Sequence, residues 1–216
     1  MVAMSATLTA QGTIDPAALR VPFRAPVVGL PLTPYSLQRG LAELAWAVGA
    51  PIGYEALSDQ SWQPGPIAPG VDTPGRTVAD ILNDIVAREP RYVYTSDDGV
   101  IHVRPKAAVL DPSNVLNQAV TRFDIDRASL VEALREVRFA AQPELRGRGS
   151  SAGSMTPSTL GQRTFSVRAQ STTVRGVLDA VVKAHGAASW SVTYSGNGAR
   201  DFQFTFHTFD GWSISG

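Results

Sequence analysis

The sequence predicts an α+β fold of two loosely repeated units, each with two helices packed against short mixed sheets, and three observations carry that prediction. Apolar residues recur at three- and four-residue spacing in four short stretches, as amphipathic helices require. Between and after them, period-two alternation marks strands, most clearly in Trp190, Val192, Tyr194 and then Phe202, Phe204, Phe206. The stretches also superpose in order. Thr77-Val78 falls on Thr173-Val174, Ile81-Leu82 on Val177-Leu178, Ile85-Val86 on Val181-Val182 and Tyr94 on Trp190. Upstream, Ser36-Leu37 falls on Ser129-Leu130, Leu41 on Leu134 and Leu44 on Val137 at nearly the same offset.

The first 33 residues carry Pro16, Pro22, Pro26 and Pro31 among short apolar runs and read as an N-terminal arm. The first unit spans residues 34–112. Its opening helix shows Leu37, Leu41, Leu44, Ala45 and Val48 on one face, with Ser36 as the expected cap and Gly49 as the stop. Pro51 to Leu57 reads as extended, Ile52 and Tyr54 to one side. A Pro/Gly-rich loop containing Trp62 follows. Thr77 and Asp80 have capping-box spacing ahead of the second helix, and YVYT and VIHV flank an Asp97-Asp98-Gly99 hairpin turn.

The second unit spans residues 113–216 and ends in aromatic strands. Phe123 and Ile125 alternate inward from Asp124 and Asp126, and Ser129 and Glu132 form a second capping box before a helix that ends by Pro143. Residues 147–161 are a Gly/Ser-rich insert with nothing to form a core. A strand at Thr164–Arg168, a helix over 173–184 closed by His185-Gly186, and an aromatic hairpin complete the unit. Phe209, Trp212 and Ile214 extend the apolar character toward the C-terminus, either as a packed final strand or as a contact surface.

Composition narrows the function. The 19 basic and 19 acidic residues cancel, which removes the broad attraction that nucleic-acid binding uses. With no cysteine, disulfides, thiolate catalysis and cysteine-ligated zinc are excluded. No apolar run approaches the roughly 20 residues of a membrane-crossing helix, and the first residues do not read as a signal peptide.

No catalytic constellation is legible. His102, His185 and His207 occupy no metal-ligand spacing. His102 reads as a surface or packing residue. His185 reads as a helix-end imidazole whose partial charge complements the dipole, and His207 alternates away from its Phe neighbours. Asp124 and Asp126 share one side of a strand and read as its wet face, the competing idea being a hydrolase carboxylate pair. Arg163, Arg168 and Arg175 are considered as an anion-binding face. The candidate partner-binding residues are Trp62, held by its Pro/Gly-rich loop, and Phe209, Trp212 and Ile214 of the tail.

The segments TVADILNDIV, TVRGVLDAVVKAHGAASWSVTY and FDIDRASLVEALREV resemble the secretin and TonB short N-terminal domain. The likeness is clearest over residues 123–206 and looser over 36–104. It implies a small α+β module of the bacterial envelope that recognises protein or signals, without a cofactor. It also implies that Val174, Leu178, Val181 and Trp190 make the fold. No plug, barrel or secretin core is read beside it, so transport across the outer membrane is not expected.

The reading is therefore a noncatalytic protein-interaction or assembly module, periplasmic or envelope-associated, engaging a protein partner or itself. Strand addition at an exposed sheet edge is the expected mode. The alternatives are a small-ligand or carbohydrate-binding module built around Trp62 and the long loops, and an uncharacterised hydrolase.

Overall fold

The computed structural model describes residues 13–22, 34–57, 75–146, 158–194, 202–211 and 213–215. Trp62, Trp212 and residues 147–157 of the Gly/Ser-rich insert lie outside the described residues. The fold is α+β, in the element order that the hydrophobic periods predict. Helix α1 (Pro34–Val48) buries Leu37, Leu41, Leu44 and Ala45. It starts at Pro34, since proline fits a first helical turn, so position 36 falls inside the helix and not at its expected start. Gly49, at φ 66°, stops it.

Strand β1 (Ile52–Glu55) is buried at every position. Helix α2 (Val78–Arg88) starts from the Thr77–Asp80 capping box, and strands β2 (Tyr92–Asp97) and β3 (Val100–Pro105) form the expected hairpin. Asp98 and Gly99 turn it at φ 48° and 77°, the left-handed pair that matches strand twist. Part of the segment expected as an arm is built into this half. Val21 is buried, its N–H donates to Arg76 O at 3.0 Å, and Gly75 N–H donates to Val21 O at 2.8 Å.

Strand β4 (Ala119–Ala128) buries Val120, Phe123, Ile125 and Ala128, then passes through a bulge at Arg127, φ 47°, into the Ser129–Glu132 capping box of helix α3 (Leu130–Ala141). Strand β5 (Phe165–Thr173) runs five residues beyond Arg168, where the sequence predicts its end, and feeds helix α4 (Val174–His185). Gly186 closes α4 at φ 75°. Strands β6 (Ala188–Tyr194), β7 (Phe202–Thr208) and β8 (Ser213–Ser215) follow. Both halves thus contain a helix, a strand, a second helix and a hairpin in that order, but their strands pair differently.

One six-stranded sheet, ordered β2-β3-β1-β6-β7-β8, draws on both halves, and β4 and β5 make a separate antiparallel ribbon. Strand β1 lies parallel to β3 and to β6. Alternation sends Ile52, Tyr54, Ile101 and Val103 to one face, under α1 and α2. Trp190, Val192, Phe204 and Phe206 go to the other, under α3, α4 and the ribbon. The aromatic hairpin has the expected register, Trp190 opposite Phe206 and Val192 opposite Phe204.

Gly53 lies beside Trp190 in register, and the indole passes directly over it. No other residue leaves that space. The β1 backbone and the largest core side chain meet there without a side chain between them.

Candidate functional site

The ribbon presents the most open backbone of the fold. Strand β4 pairs with β5 on one side only, and among the described residues no strand pairs with its other edge. In an antiparallel strand alternate residues turn N–H and C=O away from the partner, so this edge offers an unused ladder. The sequence folds it this way because the Ser129–Glu132 cap reverses the chain straight out of β4, laying α3 back beside it.

A groove of about 420 Å³ results. Ala119 to Asp124 form one wall, and Phe139, Ala140 and Pro143 stand on the other. Charges on both walls are already matched. Arg122 Nη2 sits 2.9 Å from Asp124 Oδ2, and Arg146 Nη2 sits 3.6 Å from Glu136 Oε2. The Arg146 guanidinium also covers the Phe139 ring, 5.5 Å from its centroid. Asp124 is held below the usual carboxylate range by the Arg122 hydrogen bond. The groove therefore combines free backbone, an aromatic floor and self-neutralised rims.

The predicted site residues that the structure describes, Phe209 and Ile214, fall elsewhere. Ile214 is buried opposite Phe206 on β8, which leaves the β8 backbone, and not this side chain, open to a contact. Phe209 is half-buried against the first core, its N–H donating to Ala187 O at 2.9 Å. Asp124 and Asp126 are engaged separately, Asp124 with Arg122 and Asp126 with Ser166 and Arg127. Arg163, Arg168 and Arg175 are not brought together. Arg168 approaches Asp124 at 3.6 Å, whereas Arg175 is buried against Glu55.

The histidines are more enclosed than expected. His185 is fully buried, edge-on to Phe165 and 3.0 Å from Leu160 O through Nε2. Burial lowers its pKa, which corrects the partly charged helix-end role: loss of solvation outweighs the Leu160 hydrogen bond and the pull of Asp210. His102 does point away from Ile101 and Val103, but into the interior, against α4. No cluster of three or more potential metal ligands occurs among the described residues.

Two polar networks that sequence reasoning missed lie where the halves meet. In the first, Glu55 accepts from Asn114, from Tyr194 Oη at 3.1 Å and from Arg175 Nη2 at 3.2 Å, while Arg175 Nη1 donates to Asn117 at 2.6 Å. In the second, Trp190 Nε1 donates to Asp179 Oδ1 at 2.8 Å, and His102 Nε2 stands 3.4 Å from Asp179 Oδ2. Burial pushes the Asp179 pKa up to about 7, against the pull of Trp190, Lys183 and Arg175. Burial, with Arg104 and Arg175 nearby, pushes His102 down to about 4. Glu55, Asn114 and Tyr194 of the first network also border a cavity of about 490 Å³, with Arg91, Lys106 and Asp111 on its lining, whereas the second is enclosed between β3, β6 and α4.

Asp179 gives a pH-dependent prediction. The unfolded chain releases this proton near the ordinary 3.8 and the folded chain near 7, so its contribution to stability falls as pH rises between those values. Asp179→Asn keeps the Trp190 acceptor and removes that loss. Its stability relative to the parent should rise across the window and level off above it, by on the order of 4 kcal/mol. Urea unfolding of both proteins from pH 4 to 8 checks this; a pH-independent difference would contradict it.

No signal in the sequence marks the groove itself, because its two walls become neighbours only when α3 folds back. No helix among the described residues is long and apolar enough to cross a membrane. In comparisons with known proteins, no family model, no curated protein and no solved structure matches this chain.

Proposed function

We propose that the protein is a noncatalytic recognition module that takes up an extended peptide segment of a partner protein along β4. The observation that supports this reading most is the coincidence of the unpaired β4 edge with the groove beside α3. An added strand would use the free N–H and C=O groups for affinity. Its alternate side chains would enter the groove over Phe139 and Ala140 for selectivity. Because the charged residues on both walls are already paired, the preferred segment is uncharged and apolar at alternate positions. The bacterial envelope is taken as the compartment on the resemblance to the secretin and TonB short N-terminal domain alone.

The test is selection from a displayed heptapeptide library followed by amide hydrogen exchange on the complex. Selected peptides should slow exchange at alternate residues of Ala119–Asp124. Ala140→Arg, which fills the groove from a half-buried position, should weaken binding about tenfold or more. Peptides that protect other amides, or that bind the A140R protein as well as the parent, would overturn the reading.

A further inference from the structure

A second concavity lies across the sheet from α3, where α1 stops short of covering β6, β7 and β8. It measures about 740 Å³, within the range of small-molecule sites. The strand positions facing it are polar: Thr193 on β6, Gln203, Thr205 and His207 on β7, and Ser213 and Ser215 on β8. This is the face opposite Trp190, Phe204 and Phe206 on the same strands, so the alternation that builds the core also builds a hydroxyl- and amide-rich surface.

Three details distinguish it from an ordinary wet sheet face. The first is Trp46, which stands at the rim from α1 with 42% of its surface exposed. An indole plane beside clustered hydroxyls suits a ligand with one apolar and one polar side. The second is an ordered donor chain. Gln38 Nε2 donates to Ser191 Oγ at 2.7 Å, and Ser191 Oγ lies 2.9 Å from His207 Nε2. One proton joins Ser191 Oγ and His207 Nε2, and the imidazole tautomer sets which of the two donates it. Among the described residues no hydrogen bond is made to Nδ1, which leaves that nitrogen to a ligand as donor or acceptor according to the tautomer.

The third is the charge balance. Arg39 and Glu43, the only Lys, Arg, Asp or Glu among the described lining residues, neutralise each other at 2.9 Å. Burial takes the His207 pKa down to about 4, so the imidazole is uncharged near neutrality. An anion would find no free cation, and a metal ion only one imidazole. An extended peptide would find no ladder on β6 or β7, each paired on both sides, and only the three-residue outer edge of β8 at the margin.

We infer that this cleft binds a neutral sugar chain, with Trp46 stacking on the apolar face of one ring and Gln203 and His207 bonding to its hydroxyls. The site lies on the opposite face of the sheet from the α3 groove and stands independently of peptide recognition.

The probes are cellobiose, maltose and diacetylchitobiose, examined by saturation-transfer NMR and by calorimetric titration. At least one should bind the parent protein. Trp46→Ala should weaken that binding about tenfold and Gln203→Ala by about threefold, each keeping the parent melting curve since both side chains are exposed or at the rim. Ala140→Arg, across the sheet, should bind the sugar unchanged, which separates failure here from failure of the peptide groove. The inference is overturned if none of the three disaccharides transfers saturation, or if both W46A and Q203A bind as the parent does.

Discussion

Gly53→Ala is expected to destabilise this protein severely for a single added methyl, costing about 3 kcal/mol or more. A Cβ built on Gly53 would stand 2.5 Å from Trp190 Cε2 and Cζ2 and 3.0 Å from Nε1. Neither side can yield cheaply. Strand β1 is hydrogen-bonded in parallel on both edges, and the indole is fixed by its bond to Asp179 and by burial to 2% exposure. Urea unfolding of G53A measures the cost. Trp190→Phe removes the atoms that clash, so the G53A/W190F protein should be less destabilised than the two single changes summed, by about 1–2 kcal/mol. Strict additivity, or a G53A protein within about 0.5 kcal/mol of the parent, would show that the indole does not lie over Gly53.

Arg175→Met should come close behind. Glu55 is 1% exposed, and Arg175 is the cation bonded to it. Removing that cation leaves a buried carboxylate held by Asn114 and Tyr194 alone, a change that typically costs about 3–5 kcal/mol. The loss belongs to the stranded charge more than to the missing bond. Glu55→Gln in the R175M background should therefore recover stability, and the double variant should exceed R175M by about 2 kcal/mol or more in urea unfolding. Equal instability of the single and double variants would mean that Arg175 acts through packing of its stem and not through Glu55.

These two positions show what the sequence discloses and what it withholds. The capping boxes at Thr77–Asp80 and Ser129–Glu132, the stops at Gly49 and Gly186, and the Asp98-Gly99 turn are legible because each is settled within a few residues. The inward set of the aromatic hairpin is legible for the same reason. Strand β1 was visible as extended, but nothing in IGYE announces a sheet centre, since its partners Ile101 and Trp190 are distant in the chain. Matching Tyr94 to Trp190 put side by side an aromatic bonded to Asn83 at the surface and one enclosed over Gly53. Nothing in the sequence marks Glu55, because Arg175, Asn114 and Tyr194 reach it from remote parts of the chain. The wet face of β4 was legible, and the groove beside it was not, because that depends on where α3 returns.

The parallel seam between β1 and β6 also bears on how the chain is made. Gly53 waits for Trp190 and Glu55 for Val192, so on the ribosome the future centre of the sheet keeps a bare edge until the aromatic hairpin has emerged. Registry between such remote segments forms slowly, and an apolar strand edge held open in the meantime can zip onto a neighbouring nascent chain. Refolding yield should accordingly depend on protein concentration far more than the modest size of the chain would suggest.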